Sequence, residues 1–169
     1  TTLAERFLEA QLEPKVEVLS ARAYRSDQYT PYSLLSSLIA NRATIAEVSK
    51  LSPRLQQSLG EIIPELCTLR IEERVQLSEQ GSRRRIFEAV TQWLRDLVID
   101  RSVCLFLDDT QWADEASMAG LAYILRNLPP HAVRLLATER NTRGSGSLYS
   151  YLSDHRGLRT ELVSLEELS

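Results

Sequence analysis

Asp108 and Asp109 stand side by side at the end of an unbroken apolar run, Val103-Cys104-Leu105-Phe106-Leu107. Adjacent acids placed this way can divide a phosphoryl-transfer task. One carboxylate holds Mg²⁺, usually through water, while the other orients or deprotonates an attacking water. Burying two like charges costs several kcal/mol unless a cation or hydrogen bonds offset it, and that cost favours metal or phosphate chemistry here. The plainer alternative is a strand end that reaches solvent, with Asp109 capping a turn.

Other reactive residue types give weaker signals. Ser82-Arg83-Arg84-Arg85 is a local basic run. It could meet phosphate or nucleic acid, but reads more simply as a solvated face paired with Glu72, Glu73 or Glu79. His131 and His155 lack zinc-ligand spacing, and no Gly-x-Ser-x-Gly elbow points to a hydrolase. Cys67 and Cys104 form neither a metal motif nor a disulfide framework, which suits a reducing cytoplasm. Cys104, inside the apolar run, reads as a small buried hydrophobe. Trp93 reads as core. Trp112 could stack on a base, but packing against the following helix is the simpler role.

The elements that must hold the acids follow from hydrophobic period. The acidic pair closes a strand at 103–107 whose continuous apolarity is that of a parallel strand covered on both faces. Asp114 or Glu115 then opens a helix to about residue 128, with Met118, Leu121, Ala122 and Leu125 inward and Pro129-Pro130 ending it. Residues 133–138 form a second strand, followed by the Gly/Ser stretch 143–147, a short helix near 147–154 and a last strand at 159–165. Upstream, a helix over 1–10 places Leu3, Phe7 and Leu8 on one face. Pro14 stops it, and 15–19 alternates as a short strand. Residues 24–32 read as a loop, and 32–41 and 53–60 as helices, the second with Ser52 as cap and Pro53 in its first turn. Residues 64–81 show no clear period and are where a linker would fall. Ser82 would cap a long helix to about 98 with Ile86, Val90, Trp93 and Leu97 on one stripe. Alternating strands and helices predict a three-layer α/β fold with a mainly parallel sheet.

With these residues in view, Val103-Cys104-Leu105-Phe106-Leu107-Asp108-Asp109-Thr110-Gln111-Trp112-Ala113-Asp114-Glu115-Ala116-Ser117 resembles the Walker B strand and following helix of STAND-type signalling ATPases. These are the AAA-like P-loop modules of large bacterial transcriptional regulators of the MalT and LuxR type and of related replication-initiator ATPases. The Gln111-Trp112-Ala113-Asp114 continuation makes the likeness specific. Leu135-Leu136-Ala137-Thr138-Glu139-Arg140 is similar to the family's sensor 1 strand, Tyr29-Thr30-Pro31-Tyr32-Ser33 to its loop before a helix, and the closing residues 161–169 to its last strand. The resemblance implies Asp108 as the Mg²⁺-side acid, Asp109 as the catalytic acid that positions water, Arg140 as the sensor of the terminal phosphate and Thr138 as its support. Arg suits that work, being always charged and able to grip phosphate oxygens bidentately.

The family's Gly-rich loop ending in Gly-Lys-Ser/Thr does not occur in the sequence. Lys15 and Lys50 lie in no such context, and Gly144-Ser145-Gly146-Ser147 lacks the Lys. Thr1-Thr2-Leu3 nevertheless resembles the segment directly after that Lys. The implied reading is a partial nucleotide-binding domain over 1–169, lacking the first strand and the phosphate loop and carrying a helical insertion at about 32–81. Thr1, ahead of Thr2, is then the Mg²⁺-binding hydroxyl.

The expected cofactors are ATP and Mg²⁺. The expected role is a slowly hydrolysing switch module of a multidomain regulator, inactive in isolation. Expected partners are ATP or ADP and other domains of the same chain, with nucleotide-dependent self-association as a further option and DNA reached only through an attached domain. The alternatives are a non-enzymatic module that has lost its P-loop and a replication-initiator ATPase. Composition trims the field. A net charge of −3 over 169 residues excludes a generally basic nucleic-acid binder, even with 18 Arg against 2 Lys. No run approaches 18 apolar residues, so no helix here spans a membrane, and neither a leader pattern nor a lipidation motif is evident. The expected compartment is cytoplasmic.

Overall fold

The computed structural model describes residues 2–11, 16–66, 79–129, 132–140, 148–153, 161 and 163. Three parallel strands form one sheet in the order β1 (Val16–Arg22), β2 (Ser102–Asp108), β3 (Val133–Ala137). Flanking helices make it the α/β arrangement that the alternation of elements predicts. β2 is the central strand, and Val103 to Asp108 are all buried. That placement explains its uninterrupted apolarity, since a strand covered on both faces has no side to leave polar. Leu105 and Leu107 are 0% exposed, and burial of such side chains contributes about 1.5–3 kcal/mol each.

β1 runs three residues past the 15–19 expectation. Ser20, Ala21 and Arg22 pair with Phe106, Leu107 and Asp108, and ladder pairing with a buried strand outweighs their modest strand propensity. Arg22 is thereby brought into register with the first acid.

The helices are α1 (Thr2–Gln11), α2 (Ser33–Ala40), α3 (Ile45–Val48), α4 (Pro53–Gly60), α5 (Glu79–Leu97), α6 (Glu115–Asn127) and α7 (Leu148–Ser153). Short 3₁₀ turns cover Arg25–Asp27, Pro64–Leu66 and Thr110–Trp112. Local chemistry sets several boundaries. Thr44 and Glu47 form a reciprocal capping box on α3. Pro53 opens α4, where its missing N–H costs nothing. Asp114 caps α6 by accepting the Ser117 N–H at 2.8 Å.

On α5 the predicted stripe of Ile86, Val90, Trp93 and Leu97 is buried. Its start differs from expectation. The helix begins at Glu79, so Ser82 lies inside it and does not cap it. Glu and Gln are good helix formers and neither breaks a helix, so the helix extends upstream of Ser82. Arg83 and Arg84 are exposed on this helix, and Arg84 pairs with Glu88 one turn on at 2.9 Å. On α1, Leu3 and Phe7 are exposed, so the expected apolar face is not covered by the described residues.

The core joins α2, α4, α5, α6 and α7 to one face of the sheet through Val103, Leu105 and Leu107. Gly120 on α6 sits against α5. A Cβ there would come within 2.8 Å of the Phe87 ring and 3.2 Å of Leu35. Cys104 is buried as expected, and burial pushes its thiol pKa up. The stretch 67–78, with Cys67, Glu72 and Glu73, lies outside the described residues, as do His131, the 143–147 stretch and His155. Of the strand expected at 159–165, only Glu161 and Val163 are described, and both are exposed.

Candidate functional site

The site is built where β1, β2 and β3 end together, and at its centre the chain turns sharply. Asp108 is the last residue of β2, and Asp109 follows with φ 56° and ψ 42°, in the left-handed region. Asp is among the few non-glycine residues that adopt this conformation at modest cost. The turn throws the two carboxylates out of strand alternation, so that both face the same cluster of donors.

Thr138, the residue after β3, pins that turn through four hydrogen bonds. Its hydroxyl donates to Asp108 Oδ1 at 2.6 Å and accepts the Asp109 N–H at 3.0 Å. Its carbonyl accepts the Thr110 N–H at 2.9 Å and the Thr110 hydroxyl at 3.1 Å. A fifth bond, from the Thr138 N–H to the Leu107 carbonyl at 2.9 Å, continues the β2–β3 ladder into the turn.

Arg22, arriving at the end of β1, meets both acids. Its Nη2 donates to Asp109 Oδ2 at 2.6 Å, and its Nε lies 3.6 Å from Asp108 Oδ2. Gln111 supplies a third contact, its Nε2 donating to Asp109 Oδ1 at 3.1 Å. Arg140 lies at the same edge. Its backbone N–H donates to Gln111 Oε1 at 3.0 Å, and its guanidinium Nε stands 4.0 Å from Asp109 Oδ1 with the side chain 79% exposed.

Asp108 is only 4% exposed, so its oxygens find their hydrogen-bond partners in these donors and not in bulk water. The Asp109 carboxyl is held below the ordinary Asp range by the Gln111 N–H first. Partial burial pulls the other way, and the Arg22 and Arg140 guanidiniums add to the lowering. An ionised Asp109 accepts protons or hydrogen bonds and donates none, as an acid that orients water requires.

The fold thus brings together Asp108, Asp109, Thr138 and Arg140, all named from sequence. Thr1 lies outside the described residues. Two members were missed. Arg22 fell outside the predicted strand, and only the β1–β2 register places it opposite Asp108. Gln111 was visible inside the motif, but nothing in its spacing disclosed that both ends of its amide would be used. Trp112 is partly buried against the core, and the Arg25 guanidinium lies 5.3 Å from its ring centre.

An α/β domain whose charged and polar residues gather at the carboxyl ends of parallel strands places its site where such sheets take ligands. The chain belongs to the AAA ATPase domain family, whose sequence profile matches residues 1–137. The match takes in both acids and stops one residue before Thr138, so the placement of Thr138 and Arg140 at the site rests on the geometry above. Comparison with the curated proteins and with the solved structures returned no match. Among the described residues no helix is long and apolar enough to cross a membrane.

Proposed function

We propose that this domain binds ATP with Mg²⁺ and serves as a slowly hydrolysing conformational switch in a multidomain signalling regulator of the STAND type. The observation that carries the reading is the convergence of Asp108, Asp109, Thr138 and Arg140 on one strand-end cluster, within a chain of the AAA ATPase domain family.

The donor set fits Mg²⁺. Among the described residues no group of three or more His, Cys, Asp or Glu could cage a metal. Mg²⁺ needs no such cage, because it is bound through one or two carboxylates, waters and substrate phosphates. Asp108, with its hard oxygens and a Thr138 hydroxyl fixing its orientation, would hold the ion, and Thr1 would add a hydroxyl. Bound there, Mg²⁺ would neutralise charge on the β- and γ-phosphate oxygens.

The chain's own residues supply the rest. Asp109, ionised, accepts a hydrogen bond from the attacking water and aims its lone pair. Arg140, exposed and beside Asp109, grips the terminal phosphate. Thr138 keeps the two acids in fixed relation. Arg140 sits where its position can differ with and without the γ-phosphate, which is the differential contact a nucleotide switch requires.

A second reading, a non-enzymatic interaction module, is favoured by the Arg22 guanidinium seated on both carboxylates. Calorimetry with ATP·Mg²⁺ on this chain and on the full-length gene product separates the two. Binding by the full-length protein that weakens at least about tenfold in Asp108→Ala and in Arg140→Ala, roughly 1.4 kcal/mol each, supports the switch. Binding unchanged by either substitution removes these residues from the site. No binding at all leaves the interaction module.

A further inference from the structure

Gln111 uses both ends of one amide to join two members of the site. Its Nε2 donates to Asp109 Oδ1 and its Oε1 accepts the Arg140 backbone N–H, at 3.1 and 3.0 Å. The residue is 9% exposed and lies in the 3₁₀ turn Thr110–Trp112, so its path is fixed at both the backbone and the tip. The orientation of the amide is dictated, because only the oxygen can accept from Arg140 and only the NH₂ can donate to a carboxylate.

We propose that Gln111 is a positioning residue, one that sets the direction of the Asp109 carboxylate according to where the chain stands at Arg140. The inference rests on the reading of Asp109 as the water-orienting acid. Displacement of the Arg140 backbone as its side chain engages or leaves a terminal phosphate changes the Gln111 Oε1 contact. Gln111 is a rigid planar amide at its tip, so the same movement changes the contact at Asp109. The acid is aimed only while Arg140 is in place. Arg22 holds the other oxygen, Oδ2. Rotation of the carboxylate is therefore resisted from two sides, and loss of the Gln111 side leaves Asp109 turned toward Arg22.

The side-chain chemistry supplies a clean series for the full-length protein. Gln111→Glu keeps an acceptor for the Arg140 N–H but sets a like charge against Asp109. Gln111→Met keeps length and apolar bulk and makes neither bond. Both variants are expected to lower kcat for ATP by about tenfold or more, while the ATP dissociation constant stays within about twofold, the split expected when alignment is lost and ground-state binding is not. In an Asp109→Asn background Gln111→Glu is expected to have no further effect on kcat, because the group it positions has already been disabled.

Asp109→Asn inactive with both Gln111 variants at the wild-type rate overturns the positioning role alone. An undiminished Gln111 effect in the Asp109→Asn background also overturns it, as does a loss of ATP binding that matches the loss of rate. Wild-type turnover by Asp109→Asn, or no turnover by the wild type, sinks the catalytic reading of Asp109 and the positioning role with it.

Discussion

At the residue scale, one hydroxyl serves both acids of the site. Thr138 Oγ1 is donor to a carboxylate that is 4% exposed and acceptor for the N–H of a residue held in the left-handed region. Valine has nearly the same shape and neither capacity. Thr138→Val leaves Asp108 short of a donor and the Asp109 N–H short of an acceptor. A buried polar group that loses its partner costs about 1–3 kcal/mol, so Thr138→Val is expected to lose stability in that range by urea denaturation. Thr138→Ser, which keeps the oxygen, should retain most of it. A loss confined to Thr138→Ser, with Thr138→Val at wild-type stability, would show that the Thr methyl, and not the hydroxyl, does the work.

At the element scale, the helices around the acids are tied to one another through a single carboxylate. Asp114 caps α6 and reaches across to α2, accepting the Tyr32 N–H at 2.7 Å, the Ser33 hydroxyl at 3.0 Å and the Leu34 N–H at 3.3 Å, besides the Ser117 N–H. Ser117 answers by accepting the Leu35 N–H at 3.0 Å. Two helix N-termini thus share one carboxylate that is 2% exposed. Asp114→Ala removes a cap and several charge-assisted bonds. It is expected to cost about 2–4 kcal/mol by urea denaturation, and a loss below about 1 kcal/mol would be that of an ordinary surface cap. Much of this level was legible in advance. The β2 run, the α6 cap and the α5 stripe follow from patterns within about 20 residues, and local period reports local burial. What escaped were facts of pairing between distant segments. Arg22 joins the site through register with β2, and Asp114 bonds a helix some 80 positions upstream. The α5 start escaped for a different reason, since Glu79 and Gln80 carry no breaker and a single Ser is a weak boundary mark.

At the scale of the whole molecule, one ion network ties the N-terminal ends of β1 and β2 to the α2–α3 region. Glu17 at the start of β1 meets Arg42 beyond α2 and Arg101 just before β2, and Arg42 also meets Glu47 of α3 at 3.0 Å. Burial raises the Glu17 pKa, but Arg42 and Arg101 outweigh it and hold the carboxyl below the ordinary Glu range. Glu47 behaves alike, with burial opposed by the Thr44 N–H of the capping box and by Arg42. A carboxyl with a folded pKa below its unfolded value gives the unfolded chain the greater proton uptake, so stability rises with pH across the window between them. The contribution is fully present above the unfolded value, about 4.3 for Glu, and fades as pH falls through the folded value. These groups are only partly buried and screened by solvent, which keeps each contribution modest. Glu17→Gln should therefore be less stable than the wild type at pH 7, and the gap should close as pH falls below about 4. Raising salt at pH 7 should narrow the same gap, since exposed portions of the network lie within reach of counterions. Denaturation curves at pH 7 and pH 3 decide it. A gap that is constant with pH would mean that Glu17 stabilises through packing of its stem, and not through its charge.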